Sequence, residues 1–224
     1  MTSYNRMREN MILGQFLPGL IKNATLLDTF RKIDREKYLP DGVRHMAYSD
    51  IHIKMSNNRY FVSPFALAKI LEKANIESKE VVLLIGAGIG YESAILSKLS
   101  STVMALEENI SFYKQAEINL ANNQIENVIN INGAFLKGCK KYAPYDKIIF
   151  LGSTNKSSEE LLNQLSDFGQ LLICENFEYN LDESKLVVYT KNKKKYYKEN
   201  ICDLNIPRLV FDYNDNSSFA LEEN

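Results

Sequence analysis

Tryptophan is absent from this chain of 224 residues, and histidine, cysteine and proline are scarce at two, three and five residues. The cysteines, Cys139, Cys174 and Cys202, are odd in number, widely spaced and without a C-x-x-C pair. That pattern argues against a disulfide framework or a zinc site, and all three read as ordinary reduced residues. His45 and His52 lack the spacing of helical metal ligands and read as loop or surface residues. An excess of charge is missing too. Lys and Arg total 27 against 28 Asp and Glu, for a net charge of −1, so no global field draws the chain to nucleic acid or to acidic membranes. No apolar run approaches the roughly 20 residues of a membrane span. The opening MTSYNRMRENMILGQF carries arginines but no continuous apolar core of the signal-peptide kind. These absences predict a soluble, cytoplasmic protein with neither nucleic-acid nor membrane partners, and they leave its oligomeric state open. The basic cluster Lys191–Lys195 has only Tyr196 and Tyr197 for company and reads as a solvated turn.

What is present suffices for one good core, since 45% of residues are hydrophobic. The stretch RMRENMILGQFL has a one-sided apolar stripe and reads as a helix ended by Pro18 and Gly19. Asn23 can cap a second helix over ATLLDTFRKI. DREKYLPDG reads as a turn, and AYSDIHIKMSNNRYFV as a loop with short extended pieces. Ser63 and Pro64 open a further helix, FALAKILEKA, with proline at its first position. From residue 80 apolar runs (VVLLIG, STVMALE, NVININ, KIIFLG, QLLICE) alternate with helical stretches (YESAILSKL, SFYKQAEINLANN, SSEELLNQL). Runs without polar alternation are buried on both faces, as in a parallel sheet sandwiched by helices. LVVYTK and the stretch 197–204, either side of NKKK, read as an antiparallel hairpin closing the sheet edge. The expected architecture is α/β: a doubly wound, mostly parallel seven-stranded sheet with an antiparallel edge hairpin and an N-terminal helical segment. Its expected divisions are an N-terminal helical region at 1–78 (to which the resemblance described below adds a substrate segment), a core at 79–213 and a loose tail at 214–224.

Ligands of such sheets sit at the carboxyl ends of the strands. There the chain reads VVLLIGAGIGYESAIL, with Gly86, Gly88 and Gly90 spaced G-x-G-x-G and Ala87 between the first two. The dinucleotide fingerprint needs a third glycine where Tyr91 stands, to seat a pyrophosphate on the helix N-terminus. The loop therefore suits a nucleoside without a diphosphate, S-adenosylmethionine being the candidate, and disfavours a nicotinamide cofactor. Glu107, closing the second strand about twenty residues on, can accept from both hydroxyls of an adenosine ribose. Gly133, Ala134 and Phe135 after the third strand offer apolar contact and backbone groups only. LGSTN, after the fourth, reads equally as a wall of a methyl-acceptor site or as a plain helix-entry loop.

In this order the segments RENMILGQFLPGLI, IDREKYLPD, AYSDIHI, VSPFALAKILE, LLIGAGIGYESAIL, LEEN, KYAPYDKIIFLGS and LLNQLSDFGQLL resemble the protein-L-isoaspartate O-methyltransferases, over about residues 6–177. The resemblance implies a Rossmann-like methyltransferase fold. It also implies transfer of a methyl group from S-adenosylmethionine to the carboxylate of isoaspartyl residues in damaged proteins, or to a related carboxylate. Gly86, Gly88 and Gly90 match the loop around the amino-acid part of the cofactor, and Glu107 matches the ribose acid. The family's acid before the loop is Leu84 here, its G-D-G reads Gly133-Ala134-Phe135, and its T-I-S-x-P segment reads Tyr60-Phe61-Val62-Ser63-Pro64. Val62 thus stands at the hydroxyl position, leaving Ser63 and Tyr60 as candidate catalytic hydroxyls. A second reading keeps the fold as a binding or regulatory module without catalysis.

Overall fold

The computed structural model describes residues 3–56, 59–155, 158–177 and 180–209; the tail expected at 214–224 lies outside the described residues. The N-terminal apolar stripe forms α1 (Ser3–Met11), which passes into a π-helical turn over Ile12–Phe16 where one continuous α-helix was expected. The turn is closed by Leu17 N–H donating to Ile12 O. Its wider spiral brings Met11, Ile12 and Phe16 together into the core. Asn23 caps α2 (Ala24–Lys32), accepting from Leu26 N–H at 3.0 Å. The REKY segment forms a short 3-10 turn. β1 (Ile53–Ser56) and β2 (Arg59–Phe61) make a small antiparallel sheet. α3 (Pro64–Ala74) begins where expected, with Ser63 Oγ accepting from Ala66 N–H at 3.2 Å.

The second sheet has seven strands among the described residues, in the order β5 (Val128–Asn132), β4 (Thr102–Glu107), β3 (Val81–Ile85), β6 (Tyr145–Thr154), β7 (Leu165–Phe177), β8 (Asn180–Asn192), β9 (Lys195–Asp203). β3 to β7 pair in parallel, whereas β7–β8 and β8–β9 pair antiparallel. α4 (Tyr91–Ser97), α5 (Ile110–Asn122) and α6 (Glu159–Leu162) fill the crossovers. The apolar strands divide residue by residue between two cores. Val82, Leu84, Val103, Ala105 and Ile149 face the N-terminal helices, α3 and α4. Leu83, Ile85, Met104, Leu106 and Ile148 face α6, the 3-10 turn at Phe135–Lys137 and Leu209. Burial on both faces is what the missing alternation predicts.

Two details depart from the sequence reading. α6 is only four residues long, and β7 starts five residues before Gln170, its backbone kinked at left-handed Phe168 (φ 64°). The edge hairpin is as expected, with Asn192 opposite Lys195 and Lys193–Lys195 exposed at its turn. Among the described residues no helix is long and apolar enough to cross a membrane.

Candidate active site

The strand order reverses between β3 and β6, and the loops there leave from the carboxyl ends of the strands. After β3 the chain turns through Gly86, Gly88 and Gly90 with φ of 81°, 57° and 95°, conformations that a side chain disfavours. The amides of Gly86 and Ala87 donate to Leu106 O, which ties the loop to β4. The Ala87 side chain is fully buried in the core. A methyl group on Gly86 would lie 2.8 Å from the Leu209 side chain and 3.1 Å from Leu151 O, while one on Gly88 would meet nothing nearer than 4.0 Å. Gly88 is thus the part of the loop open to a ligand.

Where the dinucleotide fingerprint has its third glycine, the ring of Tyr91 is buried and packs edge-on to Tyr38 at 5.4 Å and against Phe61 at 5.5 Å. The guanidinium of Arg35, itself fully buried, lies 3.9 Å from the Phe61 ring centre and 4.8 Å from that of Tyr91. Its Nε donates to Ala47 O and its Nη2 to Val62 O. The REKYLP element therefore pins the segment Tyr60–Val62, the end of β2 and the residue after it, against the first residue of α4.

Glu107 closes β4 and has no exposed surface. Its Oε1 accepts from Asn109 N–H at 2.9 Å, and its Oε2 from Gly88 N–H at 2.8 Å and from Arg59 Nη2 at 2.5 Å. Burial raises its pKa, against the opposing pull of Arg59 and the backbone amides. Asn132, ending β5, braces this strand end by donating to the carbonyls of Glu107 and Glu108. The Arg59 guanidinium lies between two rings, 5.8 Å from the centre of Phe112 and 5.3 Å from that of Phe135. A second buried acid, Glu92, lines the same cleft near the start of α4, and burial pushes its carboxyl up to about 7 against the pull of Arg35.

Tyr60, Phe61, Val62, Gly86 and Gly88 line one narrow cleft together with Arg59, with a cavity of only about 10 Å³. Gly90 supports the loop from below and is packed against Ala116. Gly133 is half-buried and Ala134 exposed beside the cleft, with Phe135 buried. Ser63 is buried with its hydroxyl under the first turn of α3, and its N–H donates to Nδ1 of His52. His52 lies in a loop, as expected, but is half-buried there; its Nε2 meets Asn205 O at 3.0 Å, and burial lowers its pKa. The sequence reading did not single out Arg59, Phe112 or Glu92. An arginine immediately before the Tyr60–Val62 segment was the available signal for the first.

These residues fit an adenosine-type cofactor. A buried carboxylate at the second strand end, an open glycine backbone at the first and aromatic walls are all present, and a tyrosine, Tyr91, stands where the dinucleotide fingerprint has its third glycine.

The family model described as protein-L-isoaspartate(D-aspartate) O-methyltransferase matches residues 6–205. A relative from Methanospirillum hungatei, named protein-L-isoaspartate O-methyltransferase, is 29% identical over 192 residues, covering 86% of this chain and 88% of its own. One from Helicobacter pylori with the same name is 34% identical over 148 residues, covering 65% and 71%. Among solved structures, a protein-L-isoaspartate O-methyltransferase superposes with a TM-score of 0.80 at 21% identity, over 91% of this chain and 66% of that one. A structure from Plasmodium falciparum, described as an enzyme of that kind in complex with S-adenosyl-L-homocysteine, superposes with a TM-score of 0.75 at 19% identity, over 94% and 99%.

Proposed function

The chain belongs to the protein-L-isoaspartate(D-aspartate) O-methyltransferase family, and on that premise we propose that it methylates carboxylates of peptide or protein acceptors, isoaspartyl residues first among them, at the cleft beneath the β1–β2 hairpin. It is an S-adenosylmethionine-dependent methyltransferase. The observation that carries the assignment of the site is Glu107. A carboxylate without exposed surface at the end of β4, beside the open backbone of Gly88, is costly to bury and suited to accepting a ribose diol.

S-adenosylmethionine supplies an electrophilic methyl group on a sulfonium. An acceptor carboxylate, with its ordinary pKa near 4, is ionised at neutral pH and needs no general base. What the protein must do is hold, align and keep dry. Gly86, Gly88 and Gly90 shape the loop under the cofactor's amino-acid part. Gly133, Ala134 and Phe135 form the adenine side, with backbone groups and an apolar face. Tyr60, Phe61 and Val62 wall the acceptor side. Tyr60 is the hydroxyl carried by that wall, whereas Ser63 Oγ is engaged as the cap of α3.

Titration calorimetry with S-adenosylmethionine and with NAD, followed by incubation with a labelled methyl donor and an isoaspartyl peptide, tests this reading. Saturable binding of the methyl donor and label in the peptide are expected. Saturable NAD binding with no response to the methyl donor would overturn it, and cofactor binding without transfer to any carboxylate peptide would favour a non-catalytic binding module.

A further inference from the structure

Glu107 is crowded for a ribose ligand. A carboxylate offers about four lone-pair sites, and Asn109, Gly88 and Arg59 between them already take three. Two ribose hydroxyls need two. Arg59 also lines the cleft itself, whose cavity is only about 10 Å³, where a nucleoside needs room on the order of hundreds. Cofactor and Arg59 therefore compete for the same oxygen and the same space.

Nor is Arg59 fully satisfied where it lies. It spends one nitrogen on Glu107, and its Nε is buried with no hydrogen-bond partner among the described residues. A guanidinium displaced by an uncharged diol still requires an anion, because an unpaired buried cation is costly. Its place in the chain points to which anion. Arg59 is the first residue of β2, directly before Tyr60, Phe61 and Val62. The residue just past the far end of that strand is anchored by Arg35 at Val62 O, so the side chain can swing while the wall stays. Val62 has no hydroxyl to donate to an acceptor carboxylate, whereas Arg59 presents a planar fork shaped for one.

We infer that Arg59 is the acceptor-recognition residue of this chain, exchanging its partner from Glu107 to the acceptor's carboxylate when the cofactor's ribose takes Glu107. This rests on the proposed reading of the cleft as the S-adenosylmethionine site. It follows that cofactor and acceptor bind with positive coupling, each raising the affinity of the other by the same factor.

The test is calorimetry with S-adenosylhomocysteine, which cannot react, on the wild type, Arg59→Ala and Arg59→Lys, with thermal melts alongside. Arg59→Ala removes the competitor, and S-adenosylhomocysteine should bind it about tenfold more tightly, a charge-assisted hydrogen bond being worth roughly that factor or more. With S-adenosylhomocysteine saturating, an isoaspartyl peptide should bind Arg59→Ala at least about tenfold more weakly than the wild type. Arg59→Lys keeps the charge without the fork and should fall between the two. It carries the comparison if Arg59→Ala melts too early to titrate. Equal or weaker S-adenosylhomocysteine binding by the variants, or unchanged peptide binding, would overturn the inference alone. No S-adenosylhomocysteine binding by the wild type and the variants alike would overturn the cofactor reading and this inference with it.

Discussion

The Glu92 carboxyl is held by burial at about 7, against an ordinary value of 4.5. Between those values the folded chain keeps a proton that the unfolded chain releases, so this group makes stability fall as pH rises through the window. Glu92→Gln removes the titration. Its melting temperature should gain on that of the wild type from pH 5 to pH 8, by the equivalent of up to about 3 kcal/mol. Parallel melting curves at both pH values would show that Glu92 is solvated or paired in solution. Val62 makes the second prediction at this scale. Its position is that of the family's hydroxyl, so Val62→Ser should raise kcat/KM for an isoaspartyl peptide by about five- to tenfold, the worth of one neutral hydrogen bond. Turnover that stays level or falls would mean that a hydroxyl at position 62 does not reach the carboxylate held by Arg59. The geometry of the candidate site was legible in sequence where backbone chemistry dictates residue type, as at the positive-φ Gly86, Gly88 and Gly90, and where a charge ends a strand, as at Glu107. Arg59 was not legible, because it comes to Glu107 from a hairpin 48 residues earlier in the chain, and Phe112 was not, because its role against the Arg59 guanidinium depends on that same meeting.

The loop from β3 to α4 separates support from binding within three residues. Gly86→Ala would force a left-handed side chain against Leu209 and the Leu151 carbonyl, and should cost roughly 1–3 kcal/mol of stability. Gly88→Ala has the same backbone handedness but open space around the new methyl group. It should cost only about 1 kcal/mol in folding while weakening S-adenosylmethionine binding several-fold. Chemical denaturation of both, with calorimetry of the second, separates the two effects. Equal stability loss, or undiminished binding by Gly88→Ala, would count against the open face assigned to Gly88. The helix cap offers a similar division of roles. Ser63→Ala removes the acceptor for Ala66 N–H and should lower stability by about 1 kcal/mol, with kcat/KM for the peptide nearly unchanged. A loss of activity well beyond the loss of stability would return Ser63 to the chemistry.

Across the whole molecule, protection should follow the two-sided burial of the sheet. β3, β4 and β6 are buried almost throughout, while β5 is half-exposed along its length. In hydrogen-exchange mass spectrometry the β5 peptide should exchange well before those of β3 and β6. Equal rates would indicate a single global opening. This architecture was readable from sequence because unbroken apolar runs such as VVLLIG allow little except a strand covered on both faces, and the runs alternate regularly with helical stretches. The π turn after α1, the shortness of α6 and the early start of β7 were not readable, since each is settled by packing against distant residues rather than by local propensity. The stack of Arg35, Phe61 and Tyr91 has a consequence for protein engineering. The β2 segment and the start of α4 are joined through these side chains, so neither is a separable module. A chimaera that imports the acceptor hairpin from a relative should accept it only as a block, with the partners of residues 35, 38 and 91 carried along, and transplants of residues 53–64 alone should yield mismatched, poorly folding hybrids.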